Sequence, residues 1–179
     1  MQNMIQSVVI FYSEIAVYAI NCFNILCKKH NVTLIHWPIN PEAPFQIKLN
    51  SNIKAYSRNS LNSEQIKKLL VEVNPDLILV TGWIDKGYLE AIYNQPRIKK
   101  RVLMMDTAWK GTIKQKVALF GLKPLIKCLF SHAFVSGEPQ ALYARKLGIK
   151  KEAIYQGYYS ADVAHFNSIY AQKESLRPV

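Results

Sequence analysis

Three short segments place polar, charged or aromatic side chains directly behind apolar runs, where a sheet would present them to a ligand. They are Tyr12-Ser13-Glu14, Gly82-Trp83-Ile84-Asp85 and Asp106-Thr107-Ala108-Trp109-Lys110. A carboxylate such as Asp106 can orient a ligand hydroxyl or, given the geometry, take its proton. The same acid, sitting right after four apolar residues, could equally be the N-cap of the next helix. Trp83 also has two readings, a wall of a binding site or a ring packed on the sheet edge. Ser136-Gly137-Glu138-Pro139 is explained more simply as the start of a helix with Pro139 in its first turn.

Missing motifs exclude several chemistries. No glycine precedes Gly82, so the first apolar run is not followed by the G-x-G-x-x-G that lets a backbone approach a pyrophosphate. The P-loop pattern and the G-x-S-x-G nucleophile elbow are absent as well. His30, His36, His132 and His165 are scattered with no i, i+4 pair, which gives a metal site no support. Cys22, Cys27 and Cys128 form an odd set without a C-x-x-C, which speaks against a disulfide framework and a zinc knuckle. The reading therefore includes neither a metal nor a resident cofactor.

The elements that must hold these segments follow from periodicity. Short apolar runs over Ser7–Tyr12, 32–37, 52–56, Leu77–Thr81, 102–105 and 133–136 predict six strands, and their near-continuous hydrophobicity suits a parallel sheet buried on both faces. Helical spacing predicts helices over 14–29, 64–73 with Ser63 as N-cap, Lys86–Tyr93, 112–129 and 139–147, the last stopped by Gly148. Alternating strands and helices define an α/β, Rossmann-like, doubly wound parallel sheet. Such a sheet binds its ligand outside the carboxyl ends of the strands, where strand order reverses between the first and fourth strands. Tyr12, Ser13, Gly82, Trp83, Asp85, Trp109 and Lys110 are on that ground the candidate substrate-binding residues. Residues 1–156 form the expected domain, and 157–179 a short polar linker.

Composition and charge narrow the partners. With 179 residues, half of them hydrophobic and a fifth charged, the chain can fold as one domain and is not intrinsically disordered. Its apolar runs are too short to span a bilayer and no basic leader precedes the first, so a cytoplasmic protein is expected. Lys and Arg outnumber Asp and Glu by 23 to 12, a net +11 that favours an anionic partner. Nine basic residues against Asp106 alone, between Arg97 and Lys127, supply +8 of it. Lys114, Lys116, Lys123 and Lys127 alternate there with Val117, Leu119, Phe120, Leu122 and Leu125, the pattern of a basic amphipathic helix on an anionic membrane surface. A solvated helix face is the plainer alternative. No nucleic-acid-binding motif is present, so nucleic acid ranks below membrane.

From the sixth strand onward come Ser136-Gly137-Glu138-Pro139, then Leu147-Gly148-Ile149, then Gly157, Asp162 and Phe166 in the places of an N-G-V-D-x-x-x-F segment. In this order the sequence resembles the N-terminal half of family 4 glycosyltransferases of the GT-B fold. Tyr12-Ser13-Glu14-Ile15 stands where many members carry a glycine-rich loop. Asp106, the candidate catalytic residue, stands near the usual position of a histidine. The resemblance implies a transferase that moves a sugar from a nucleotide-sugar donor to a glycan or lipid-linked acceptor, in surface polysaccharide synthesis, without a metal. It further implies that the donor is held mainly by a C-terminal domain outside this chain, and that 157–179 lead toward it. The rival readings are a non-catalytic small-molecule-binding α/β module and a basic, membrane-recruiting subunit of a two-chain transferase.

Overall fold

Among the described residues, seven strands join into one parallel sheet in the order β3-β2-β1-β4-β5-β6-β7: β1 Ser7–Tyr12, β2 Asn31–His36, β3 Lys54–Ser57, β4 Leu77–Thr81, β5 Lys100–Met105, β6 His132–Val135 and β7 Ile154–Gln156. The computed structural model describes residues 5–39, 41, 47–158, 160 and 163–175. Asp162 of the family-like segment and most of the proline-rich 38–44 stretch lie outside them. Between the strands run α1 Val17–Leu26, α2 Ser63–Val73, α3 Lys86–Tyr93, α4 Ile113–Leu129 and α5 Glu138–Lys146, and α6 Val163–Ser175 follows β7. The fold is α/β and Rossmann-like.

β1 lies at the centre because five of its six residues are apolar or aromatic and can be buried on both faces. It pairs with β2 (Val8 opposite Val32) and with β4 (Val8 opposite Leu77). Alternation along the strand splits the core in two. Val9 and Phe11 point to the face covered by α2, α3, α4 and α5, and Val8, Ile10 and Tyr12 to the face covered by α1. On the α1 side the sheet beyond β1 is less covered, and Leu77, Leu79 and Phe134 are only partly buried.

Local chemistry sets the helix ends, with some differences from expectation. α2 is capped by Asn62 rather than Ser63, in a box where Asn62 Oδ1 accepts from Gln65 N and Gln65 Oε1 from Asn62 N, which satisfies two otherwise orphaned donors. α1 starts at Val17 instead of 14, because residues 13–16 are drawn into the loop at the sheet end. α5 is followed by Gly148 at φ +97°, where a Cβ would meet the stem of Lys127 at 2.6 Å as well as the left-handed backbone penalty. β7 is a seventh strand that its three residues gave no periodic sign of. The tail expected as a plain linker is helical over Val163–Ser175.

Candidate functional site

Strand order reverses between β1 and β4, and a cleft of about 940 Å³ opens there at the carboxyl ends of the strands. Tyr12, Ser13, Gly82, Trp83, Asp85 and Asp106, each expected at the site, all line it. Trp109 and Lys110 do not. The Trp109 ring turns away onto Tyr143 at 5.4 Å, under the ammonium of Lys146 at 4.9 Å, and the Trp109 main-chain N–H donates to the Pro139 carbonyl. Lys110 is held by its backbone, whose N–H donates to Gln115 Oε1 at 2.8 Å. Both belong to the junction of α4 and α5.

The cleft floor is a clasp between two strand ends. Ser13 N donates to Thr81 Oγ1 at 2.7 Å and the Ser13 hydroxyl donates to the Thr81 carbonyl at 3.0 Å. Gly82 N donates to the Met104 carbonyl, extending the β4–β5 ladder one residue into the cleft. Trp83 lines the cleft and meets Tyr143 edge-on at 6.0 Å. Asp106 is exposed on the rim and its main-chain carbonyl accepts from Gln140 Nε2 at 2.9 Å. It is not a helix cap, because Thr112 caps α4.

Asp85 is the most heavily bonded group of the site. Its Oδ1 accepts from the N–H groups of Gly87 and Tyr88, which makes it the N-cap of α3, and its Oδ2 accepts from Trp37 Nε1 at 2.8 Å and Arg58 Nε at 2.7 Å. Burial alone would push this carboxyl up. The Arg58 guanidinium, the Trp37 indole and the Tyr88 N–H outweigh it and hold the group below the usual carboxylate range. Gly87 leaves room for the pair, since a Cβ there would stand 2.5 Å from Arg58 Nη2. Arg58 also lies over the Tyr88 ring at 5.4 Å, and Tyr88 stacks on Phe11 at 4.5 Å. Asp85 thus fixes the Trp37 wall of the cleft, and its oxygens are already engaged.

A tyrosine pair also lines the cleft, with Tyr12 OH and Tyr158 OH at 3.0 Å. Beyond it the cleft continues into a smaller, mainly apolar groove of about 280 Å³ beside α1, and Tyr12, Tyr18, Met104 and Tyr158 line both. Burial raises the Tyr12 hydroxyl well above its ordinary value, with Asp106 adding to the effect, and burial does the same to Tyr88. Both stay neutral in the fold while the unfolded chain ionises near pH 10. Their contribution to stability is therefore complete below about pH 10 and is lost above it. Urea titrations from neutral to alkaline pH should show stability falling in that range, and falling less in Tyr12→Phe.

Thr81, Trp37, Arg58 and Tyr158 were not singled out from sequence. Among the described residues no group of three or more His, Cys, Asp and Glu could hold a metal, and no helix is long and apolar enough to cross a membrane.

The chain matches no protein-family model and no curated protein. Among solved structures it is similar to a UDP-N-acetylglucosamine 2-epimerase from Rickettsia bellii, with a TM-score of 0.55 at 12% identity over 97% of this chain and 50% of that one. A wide-type short-chain dehydrogenase/reductase from Veillonella parvula with NADP superposes at a TM-score of 0.48 and 11% identity, over 74% of this chain and 69% of that one. The flavin-binding protein AtHal3 reaches 0.42 at 12%, over 98% and 100%. The likeness to the epimerase is one of fold, and the chain spans half of that protein's length.

Proposed function

We propose that this chain is the acceptor-side half of a GT-B glycosyltransferase, passing a sugar from a nucleotide-sugar donor to a glycan or lipid-linked acceptor in surface polysaccharide synthesis. The observation that carries the reading is the open cleft at the β1/β4 reversal, with aromatic walls (Tyr12, Trp37, Trp83, Tyr158) and carboxylates at its rim (Glu14, Asp106). Sugar rings offer apolar C–H faces to aromatic rings and hydroxyls to carboxylates, so such a lining suits a saccharide. The cleft has no glycine-rich loop to cradle a pyrophosphate, which leaves the nucleotide to a second domain. The fold is shared with half of a UDP-N-acetylglucosamine 2-epimerase, which suits a chain that is one half of a larger enzyme.

In this reading Asp106 orients the acceptor hydroxyl at the rim, and Trp83 and Trp37 flank the acceptor ring. Asp85 and Arg58 hold the wall without touching substrate. Residues 157–179 lead toward the donor domain. The test is transfer from a panel of radiolabelled nucleotide sugars to lipid extract, comparing this chain with the same chain extended to the next stop of its reading frame. Transfer by the extended form alone is expected, and transfer by neither overturns the proposal.

A further inference from the structure

α4 is amphipathic in an uncommon way. Its inner side is anchored by buried Ile126 and Leu129, with Leu119 and Leu122 packed on the same core. At about 100° per residue, Ile113, Val117, Phe120 and Pro124 fall in one file along the opposite, solvent side. The first three are 80%, 64% and 87% exposed. Lys114 lies on one flank of the file and Lys116, Lys123 and Lys127 on the other, all exposed. No acid occurs anywhere from Thr107 to Gly137. Exposed apolar residues scattered singly are ordinary, but a file of them between lysines is an interaction surface.

We infer that the outward face of α4 docks on an anionic lipid bilayer, with Ile113, Val117 and Phe120 entering the headgroup boundary and the four lysines meeting lipid phosphates. The charge decides between occupants. A symmetric contact with a second copy would set lysines against lysines with no acid between them. A nucleic-acid backbone would answer the lysines and leave the apolar file without a partner. A bilayer answers both, since lysine stems can lie along the apolar boundary while their ammonium groups reach the phosphates.

The surface is also linked to the cleft. Gln115, in the first turn of α4, accepts from Lys110 N and donates to the Ala108 carbonyl, stapling the helix to the segment that begins with Asp106 and Thr107 on the cleft wall. A docked α4 would bring that wall near the membrane. The inference does not rest on the transferase reading.

The experiment is flotation with vesicles of phosphatidylglycerol mixed with phosphatidylcholine, and with phosphatidylcholine alone, at low and high salt. Binding to the anionic vesicles is expected, weakening as salt rises. Joint replacement of Lys114, Lys116, Lys123 and Lys127 by alanine should lower partitioning on the order of 1,000-fold at low salt, and Phe120→Glu on the order of tenfold. Val71→Glu, on an exposed site of α2, should change nothing. Circular dichroism checks that each variant is folded. Phe120→Trp supplies an independent readout, a blue-shifted emission with anionic vesicles that the unsubstituted chain lacks. Absence of binding, binding indifferent to Phe120→Glu, or a dimer in solution that Phe120→Glu splits would each overturn the inference. Sugar transfer without vesicle binding would remove this inference alone and leave the proposed function standing.

Discussion

Replacing Asp85 by alanine is expected to cost about 3 kcal/mol of folding stability, because it strands a partly buried guanidinium and uncaps a helix in one step. Arg58 would lose the carboxylate that takes both its Nε and its Nη2, and the N–H groups of Gly87 and Tyr88 would lose their acceptor. Asp85→Asn should fall between, retaining an acceptor for the helix but not the charge. The pH dependence carries a separate signature. The folded carboxyl lies below its unfolded value of about 3.9, so its contribution is complete above that pH and disappears as pH falls through the depressed folded value. The unsubstituted protein should accordingly lose more stability than Asp85→Ala on acidification below about pH 4. Denaturant titrations at several pH values measure this, and Trp37 emission reports whether the indole leaves its place when Nε1 loses its partner.

Asp106→Asn is expected to give the converse pattern, an intact fold with, under the proposed transferase reading, transfer by the extended form reduced by about 100-fold or more. Asp106 is exposed and does not cap α4, so the exchange should cost far less stability than the loss of Asp85. If Asp106 acts on the acceptor hydroxyl in the transition state, kcat should fall with little change in donor KM. Equal transfer by Asp106→Asn would remove it from the chemistry and direct attention to Glu14, the other carboxylate of the rim. Measuring transfer and thermal unfolding on the same preparations keeps the two possible causes of lost activity apart.

The strands were legible wherever an unbroken apolar run marked them, as in Val8–Phe11, buried on both faces, or Leu77–Val80, where one face is only partly covered. β7 was not, because Ile154-Tyr155-Gln156 is short and mostly exposed, and it is held by pairing with β6 rather than by its own pattern. The cleft was legible through topology: once β1 and β4 are neighbours, the loops after them must face one another. What completes it was hidden for the same reason in each case. Tyr12 and Tyr158 are 146 residues apart, Trp37 and Asp85 48, and Arg58 and Asp85 27. No local spacing encodes such meetings. Trp109 misled because the end of a strand is a place where side chains can turn either way, and Tyr143 and Lys146 offered its ring a partner on the helix side.

The two edges of the sheet are its four-residue β3 and three-residue β7. An open edge is a row of unpaired backbone donors and acceptors that can recruit strands from other molecules into fibrillar aggregates. Here each edge is too short to offer more than a few such groups, and Lys54 adds a charge at the start of one. The long apolar strands most prone to that fate, β1 and β4, are sealed inside the sheet by neighbours on both sides. A parallel sheet of this kind assembles slowly, through contacts far apart in sequence, and its hazardous segments are exposed until it closes. Once closed, it leaves almost no backbone by which one copy could seed another.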